Sequence, residues 1–488
     1  MCMRVSTFVL LIVLVAQRPP VVVAATGAKP NFVIFLMDDV GYGDLGCFGG
    51  NRAPTPNFDR LAARGMRLTD FYAHPVCGVT RAALMTGCYA MRVGEVGNTK
   101  HPHPVLHTEE VTLAEVLRAA GYRTGMIGKW HLAGQRRERY PRPLMPLGQG
   151  FEEYFGTPLH NGTTRQIAEF HTQLVRGNEV VDQFVEQPEM DQLTTQYTEA
   201  AVKFINEHRD EPFVLYLAHS MAHVVLGVSD KFRGKTNGGL YGDVLAELDW
   251  SAGQIAGALQ EAGIADRTML FITSDNGPWV EQQLHGQGGT DTHYGSPGEL
   301  RGFKMTTWEG GIRVPTIACW PGQIPAGATC SEPAAIFDLL PTLADLAEAP
   351  LPPDRTLDGR SIDPLLRGEE GAKSPHEAIF FYAYTHLQGV RSGRWKLLAP
   401  RPAKPAWTSW SACMMDAVAD YELYDLVNDP NEQVNAASKH PDVVARLKQH
   451  LDHARSDLGD YDRIGEGQRF FDDGPRRSES KRWLNAAK

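Results

Sequence analysis

Short apolar runs alternate with longer amphipathic stretches from residue 31 to about residue 320. Asn31–Met37 is uniformly apolar after its first residue and predicts a buried strand. Thr55-Pro56 then opens a helix, with Thr55 as N-cap and Pro56 at the first helical position, and Gly65 closes it. Thr112 and Glu115 form a capping box for a second helix that Gly121 ends. Arg123–Gly128 reads as the next strand. A helix over 196–208 precedes a strand at 213–218, a longer helix over 243–262 precedes a strand at 268–273, and 314–320 reads as a further strand. This rhythm predicts an α/β fold with a mostly parallel central sheet flanked by helices. From about Gly368 the texture changes, with Pro and Gly punctuating short strands at 394–398 and 422–426 before a helix at 443–456. A small C-terminal subdomain with an antiparallel sheet is expected there.

The first residues have the pattern of an export signal: Arg4, an apolar run over 8–16, and small residues at Val23-Ala24-Ala25 for cleavage. That run is short for a bilayer span, and no later segment reaches spanning length without charges. The expected division is a signal at 1–25, a large domain at 26–367, a C-terminal subdomain at 368–472 and a mobile tail at 473–488. The 488 residues are 42% hydrophobic and 22% charged, enough for a large core without disulfide staples. A formal net charge of −10 argues against a nucleic-acid partner. Beyond Cys2 in the signal, Cys47, Cys77, Cys88, Cys319, Cys330 and Cys413 are scattered, with no metal-binding C-x-x-C. Cys319 and Cys330 are the pair that could bridge in an oxidising compartment.

In open α/β sheets ligands bind beyond the carboxyl ends of the strands. Four predicted strands run into Asp38-Asp39, Lys129-Trp130-His131, His219 with His223, and Ser274-Asp275-Asn276. Asp38, Asp39, Asp275 and Asn276 offer only oxygen ligands, which suits calcium, with magnesium as the alternative. Either pair alone would read as a turn or cap; their matched positions favour a cation, which also relieves the repulsion of adjacent carboxylates. Arg81, Lys129, His131, His223 and Lys304 would make an anion pocket beside it. Strand alternation would point Lys129 and His131 the same way and Trp130 into packing. His219 reads as structural. Cys77 precedes a helix expected to start near Thr80, where it is either an activated nucleophile or a buried inert thiol.

Cys77-Gly78-Val79-Thr80-Arg81, continuing to Thr86-Gly87, resembles the sulfatase signature C-x-(P/A)-(S/T)-R with its following T-G. Asp38-Asp39-Val40-Gly41-Tyr42-Gly43-Asp44, Gly128-Lys129-Trp130-His131, Ser274-Asp275-Asn276-Gly277 and Gly302-Phe303-Lys304 through Trp308-Glu309-Gly310-Gly311 match further sulfatase motifs in the same order. The likeness is greatest to the arylsulfatase A group. The resemblance implies an alkaline-phosphatase-like fold and hydrolysis of sulfate monoesters. It implies that a maturation enzyme oxidises Cys77 to formylglycine, whose hydrate attacks sulfur. It implies that Asp38, Asp39, Asp275, Asn276 and the group made from Cys77 hold the cation, and that Arg81 and Lys129 hold the nucleophile. His131 would be the base that finally expels sulfate, and His223 and Lys304 would bind sulfate and support the leaving oxygen.

Two departures from the pattern stand out. Val79 occupies the third signature position, where Pro or Ala is usual and which maturation enzymes read. His160 falls where the arylsulfatase A group has serine. Asn161-Gly162-Thr163 fits a glycosylation acceptor in a eukaryotic secretory host. The implied partners are a sulfated small molecule or glycan and a formylglycine-generating enzyme. The implied location is periplasmic or secreted, and lysosomal in a eukaryote. The competing readings are a phosphoester or phosphonate hydrolase on the same fold, and a non-catalytic sulfated-glycan-binding protein if Cys77 stays a thiol.

Overall fold

A computed structural model describes residues 29–94, 106–133, 140–161, 173–182, 185–279, 294–403 and 416–469. The expected signal at 1–25, the tail at 473–488 and Cys413 lie outside the described residues.

The strands, in chain order, are β1 (Asn31–Met37), β2 (Met66–Leu68), β3 (Phe71–Tyr72), β4 (Arg123–Gly128), β5 (Glu153–Gly156), β6 (Leu174–Arg176), β7 (Glu179–Asp182), β8 (Phe213–Ala218), β9 (Thr268–Ser274), β10 (Thr316–Cys319) and β11 (Ala328–Cys330). All but β3 join one ten-stranded sheet in the order β11-β2-β10-β9-β1-β8-β4-β5-β6-β7. The core of that sheet, β9-β1-β8-β4-β5, is parallel, as the βαβ rhythm predicted. Every residue of β1, β8 and β9 is buried, which is why they read as unbroken apolar runs rather than alternating ones. The margins are mixed: β10 runs antiparallel to β9 and β2, β11 runs parallel to β2, and β6 and β7 form an antiparallel hairpin beside β5.

Helices cover both faces. Pro56–Arg64, Leu193–Glu207 and Gly239–Glu261 lay Phe58, Leu61, Tyr197, Leu245 and Leu248 on one face. Cys77–Thr86, Leu113–Ala119 and Leu339–Leu346 lay Leu84, Leu117 and Leu343 on the other. No helix among the described residues is long and apolar enough to cross a membrane.

The C-terminal region holds a separate antiparallel sheet; with β12 (Ala334–Ala335) preceding it in the chain, its strands are β13 (Ile379–Ala383), β14 (His386–Ser392), β15 (Trp395–Leu398) and β16 (Glu422–Asp425). The helix Pro441–Asp457 packs on it through Leu447, Leu451 and Ala454. Those residues, with Val390 and Leu397, belong to the same apolar cluster as Phe32 and Phe271 of the large sheet, so the two sheets share one core. Asp70 reinforces the joint, pairing with Arg313 at 2.5 Å and with Arg391 of β14 at 2.6 Å.

The proposed Cys319–Cys330 bridge does not form, and both cysteines are free. Their strands, β10 and β11, pair with opposite edges of β2. Two inter-strand spacings of about 4.8 Å put the pair beyond disulfide reach.

Candidate active site

The ladder continues past the strand ends and fixes the site's floor. Asp275 donates its backbone N–H to Met37 O at 3.0 Å, Lys129 donates to Ala218 O at 2.8 Å, and His219 donates to Leu36 O at 2.9 Å. Asp39 then takes a left-handed backbone, φ 60°, uncommon outside glycine, which turns its side chain back over the sheet edge. The structure brings Asp38, Asp39, Cys77, Arg81, Lys129, His131, His223, Asp275, Asn276 and Lys304 into one cluster, linked by the contacts below.

Two local expectations need correction. Lys129 and His131 do share the site, but not by strand alternation. β4 ends at Gly128 with φ 106°, and His131 has φ 62°. Trp130 and His131 donate their N–H groups to Thr157 and Pro158. The turn at His131 brings its Nδ1 to 3.3 Å from Cys77 Sγ. Trp130 packs away from the site as expected, its Nε1 donating to Leu144 O at 2.8 Å. The second correction concerns the helix, which begins at Cys77 itself, not near Thr80. Cys77 therefore sits in the first turn, where backbone N–H groups are unpaired and the helix end is electropositive. Thr80 locks that turn to the sheet by donating to Asp275 O at 2.6 Å.

Arg81 is fully buried and fork-shaped in its bonding. Nε and Nη2 donate to Asp275 Oδ2 at 3.1 and 2.8 Å, Nη2 also reaches Asp38 Oδ2 at 3.2 Å, and Nη1 donates to Lys129 O at 2.6 Å. Lys129 Nζ donates to the same Asp38 oxygen. Lys304 Nζ and Asn276 Nδ2 donate to Asp39 Oδ1 at 2.5 and 2.7 Å. His223 Nε2 lies 4.0 Å from Asp39 Oδ2.

Burial raises every carboxyl here, and neighbours decide the outcome. At Asp38, the Lys129 ammonium and the Arg81 guanidinium outweigh burial and hold the group below the ordinary carboxylate range. Asp39 stays raised by burial, with Asp38 adding to it against Lys304. Burial, helped by the Asp38 charge, lifts Asp275 to about 7. Burial and then Lys129 push His131 well down, and burial and then Lys304 do the same to His223, so both imidazoles are neutral at neutral pH. Burial pushes the Cys77 thiol up.

A hard cation fits this donor set. Asp38 and Asp39 each direct one oxygen at protein cations, and the other, Oδ1 of Asp38 and Oδ2 of Asp39, is buried without a hydrogen bond. Asn276 Oδ1 is likewise unpartnered while its nitrogen is engaged. Buried polar atoms in this state call for a ligand. Asp38 and Asp39 bring carboxylate oxygens within 4.8 Å of one another, and Asn276 touches Asp39 through its amide, a donor set that suits calcium or magnesium.

The sequence reading offered His160 as a pocket-lining residue, which its contacts bear out, but missed Asn161 and Trp279. Asn161 is 1% exposed and donates through Nδ2 to His223 O at 3.0 Å and Val225 O at 2.9 Å. That buried, engaged amide opposes a glycan at the Asn161 sequon in the folded protein. His160 stacks on His223 at 5.3 Å and meets His131 edge-on at 5.5 Å. Trp279 lies under Lys304, 5.6 Å from ring centre to Nζ; its place next to the Asp275-Asn276-Gly277 motif was the available signal. His219 is structural, bonded to Ser251 Oγ at 3.0 Å.

The fold and this pocket define a hydrolase of the alkaline-phosphatase-like superfamily. Residues 30–349 match the family described as Sulfatase, and residues 298–457 match the one described as N-sulphoglucosamine sulphohydrolase, C-terminal. The chain belongs to the formylglycine-dependent sulfatase family and is a sulfuric ester hydrolase. It is 38% identical to human arylsulfatase A over 460 residues, covering 87% of each chain. It is 33% identical to human steryl-sulfatase over 437 residues, covering 75% of this chain and 74% of the relative. A sulfatase from Pseudoalteromonas sp. superposes with TM-score 0.74 at 26% identity, over 88% of this chain and 91% of the other. The phosphonate monoester hydrolase of Agrobacterium radiobacter shares the fold, with TM-score 0.58 at 18% identity over 88% and 95% of the two chains.

Proposed function

We propose that Cys77 is the residue converted to formylglycine, and that the exported protein uses it with one calcium ion to cleave sulfate monoesters of the aryl sulfate or sulfated-sugar class. The observation that carries this reading is the placing of Cys77, at a helix N-terminus, 3.3 Å from neutral His131 and within 4.8 Å of carboxylate oxygens of Asp38 and Asp275. Cys77 Sγ marks the place of the formylglycine oxygens. The aldehyde hydrate would supply the nucleophile, and a cation held by Asp38, Asp39, Asp275, Asn276 and that hydrate would supply Lewis-acid polarisation of a sulfate oxygen. Cys77 and Val79 are 3% and 2% exposed. A maturation enzyme therefore reads this segment before the chain folds.

The chain's own residues have distinct tasks. Asp38, Asp39, Asp275 and Asn276 hold the cation. Arg81 and Lys129 fix the nucleophile and offset negative charge as it develops. His131 accepts a proton at Nδ1. His223 and Lys304 bind the sulfate and support the leaving oxygen. Residues 1–25 serve as the export leader, 26–367 as the catalytic domain and 368–472 as the C-terminal subdomain.

Relative turnover of nitrophenyl sulfate and nitrophenyl phosphate tests the activity. The sulfate should be preferred by at least ~100-fold, about 2.7 kcal/mol in transition-state binding; a preference for phosphate would sink the reading.

Cation binding has a pH signature. A carboxyl raised on folding stabilises the cation-free protein below its ordinary value of 3.8, and that contribution is lost as pH rises through about 7, the value at Asp275. Protons compete with the cation for the same groups, so calcium should raise Tm most at pH 8 and least at pH 5. At roughly 1,000 times Kd the gain is about 4 kcal/mol. Asp39→Asn should remove most of it, and equal calcium shifts in both proteins would contradict the assignment.

A further inference from the structure

Lys304 lies on a segment, residues 301–309, that is held from two sides. On the side of the site, Lys304 donates its N–H to Pro278 O at 3.0 Å and Met305 donates its own to Pro75 O at 2.7 Å, two residues before Cys77. Met305 has φ 73°, a left-handed conformation that persists in such a residue only where the surroundings enforce it.

The C-terminal sheet holds the same segment from its other side, through Thr307, Glu309 and Arg301. Gln388 of β14 accepts a hydrogen bond from Thr307 Oγ1 at 2.8 Å. Lys396 of β15 donates to Thr307 O at 2.8 Å and pairs with Glu309 Oε1 at 2.9 Å and Glu432 Oε1 at 2.8 Å. Glu432, just beyond β16, accepts from Glu309 N at 2.8 Å through Oε2 and from Arg301 Nη1 at 3.2 Å through its carbonyl. Lys396, Glu309 and Glu432 are each 0% exposed. Burying the Lys396 ammonium with two carboxyl groups, of which burial pushes Glu432 up to about 7, is costly, and apolar side chains would join the two sheets at lower cost. What such a cluster supplies is register: it accepts one alignment of the two chains and penalises the rest. The element aligned here carries Lys304, whose ammonium sits 2.5 Å from Asp39.

We propose that Lys396, acting with Glu432, is a positioning residue for Lys304, so that the C-terminal sheet sets the place of the ammonium group serving the leaving oxygen. The proposal rests on the reading of Lys304 given above. Lys396 touches no substrate; it acts through Thr307 and Glu309. A one-ångström misplacement of a catalytic group lowers turnover by about 10²-fold.

The test uses full-length, formylglycine-converted, calcium-loaded protein and a series of aryl sulfates of increasing leaving-group pKa. Lys304→Ala should lose most turnover on the poorest leaving groups. Lys396→Met should reproduce that pattern with a roughly 10²-fold loss of kcat on the poorest leaving group, little loss on the best, and KM nearly unchanged. Should Lys396→Met fold poorly, Lys396→Met with Glu432→Gln removes the unpaired carboxylate, and Glu309 keeps Arg313 at 3.5 Å. Adding either change to Lys304→Ala should cost nothing more, because the group being positioned is gone. An equal loss across the series, or an additive loss in the Lys304→Ala background, would overturn the proposal and leave the role of Lys304 intact. No loss from Lys304→Ala itself would overturn both.

Discussion

Cys77→Ala should abolish sulfate-ester turnover, lowering kcat/KM by at least ~10⁴-fold, while the protein keeps its fold and a reduced calcium-dependent rise in Tm. Alanine at the first position of the Cys77–Thr86 helix lacks the thiol that a maturation enzyme must oxidise, so its Cβ cannot become the aldehyde carbon. It leaves Thr80 to lock the helix to Asp275, and it leaves the oxygens of Asp38, Asp39 and Asn276 in place. Deleting one buried sulfur costs about 1 kcal/mol, within the ordinary range for a small core truncation. Turnover and Tm measured on the same preparation separate the two effects. Activity within tenfold of the parent would remove Cys77 from the chemistry.

The second large effect belongs to His131→Ala. The imidazole is buried among Lys129, His160 and Arg81 and is neutral at neutral pH, ready to accept a proton. General-base catalysis contributes about 10²–10⁴-fold, so steady-state kcat should fall by roughly 10³-fold. The loss should fall on the step that follows departure of the alcohol. A rapid-mixing experiment with nitrophenyl sulfate should then show a burst of about one phenolate per active site before the slow phase. A uniform slow rate without a burst would place His131 earlier in the reaction and contradict its role as the final base.

Much of the site was legible because it hangs on strand ends. β1, β8 and β9 are buried throughout, so each appears in the sequence as an apolar run with a sharp end. Whatever follows that end, Asp38-Asp39 or Asp275-Asn276, must emerge at one edge of the sheet. Turns were harder. The left-handed backbone at His131, which brings its ring to Cys77, depends on hydrogen bonds to Thr157 and Pro158 that no local pattern announces. Asn161 read as a glycosylation acceptor because a motif carries no information about burial. The antiparallel direction of β10 escaped notice because β10 is as apolar as its parallel neighbours, and direction leaves no mark on an apolar strand. The grip of β14 and β15 on the Lys304 segment joins residues 81 to 89 positions apart, where single-sequence patterns are silent.

The central claim is that Cys77 becomes the catalytic aldehyde even with valine at position 79, and it is tested most directly by the mass of the peptide that contains Cys77. The protein should be produced with a formylglycine-generating enzyme and assayed on nitrophenyl sulfate before digestion. The account predicts the mass loss of thiol-to-aldehyde conversion, in a fraction of chains that scales with specific activity. An unmodified thiol throughout a preparation that hydrolyses sulfate esters would contradict it.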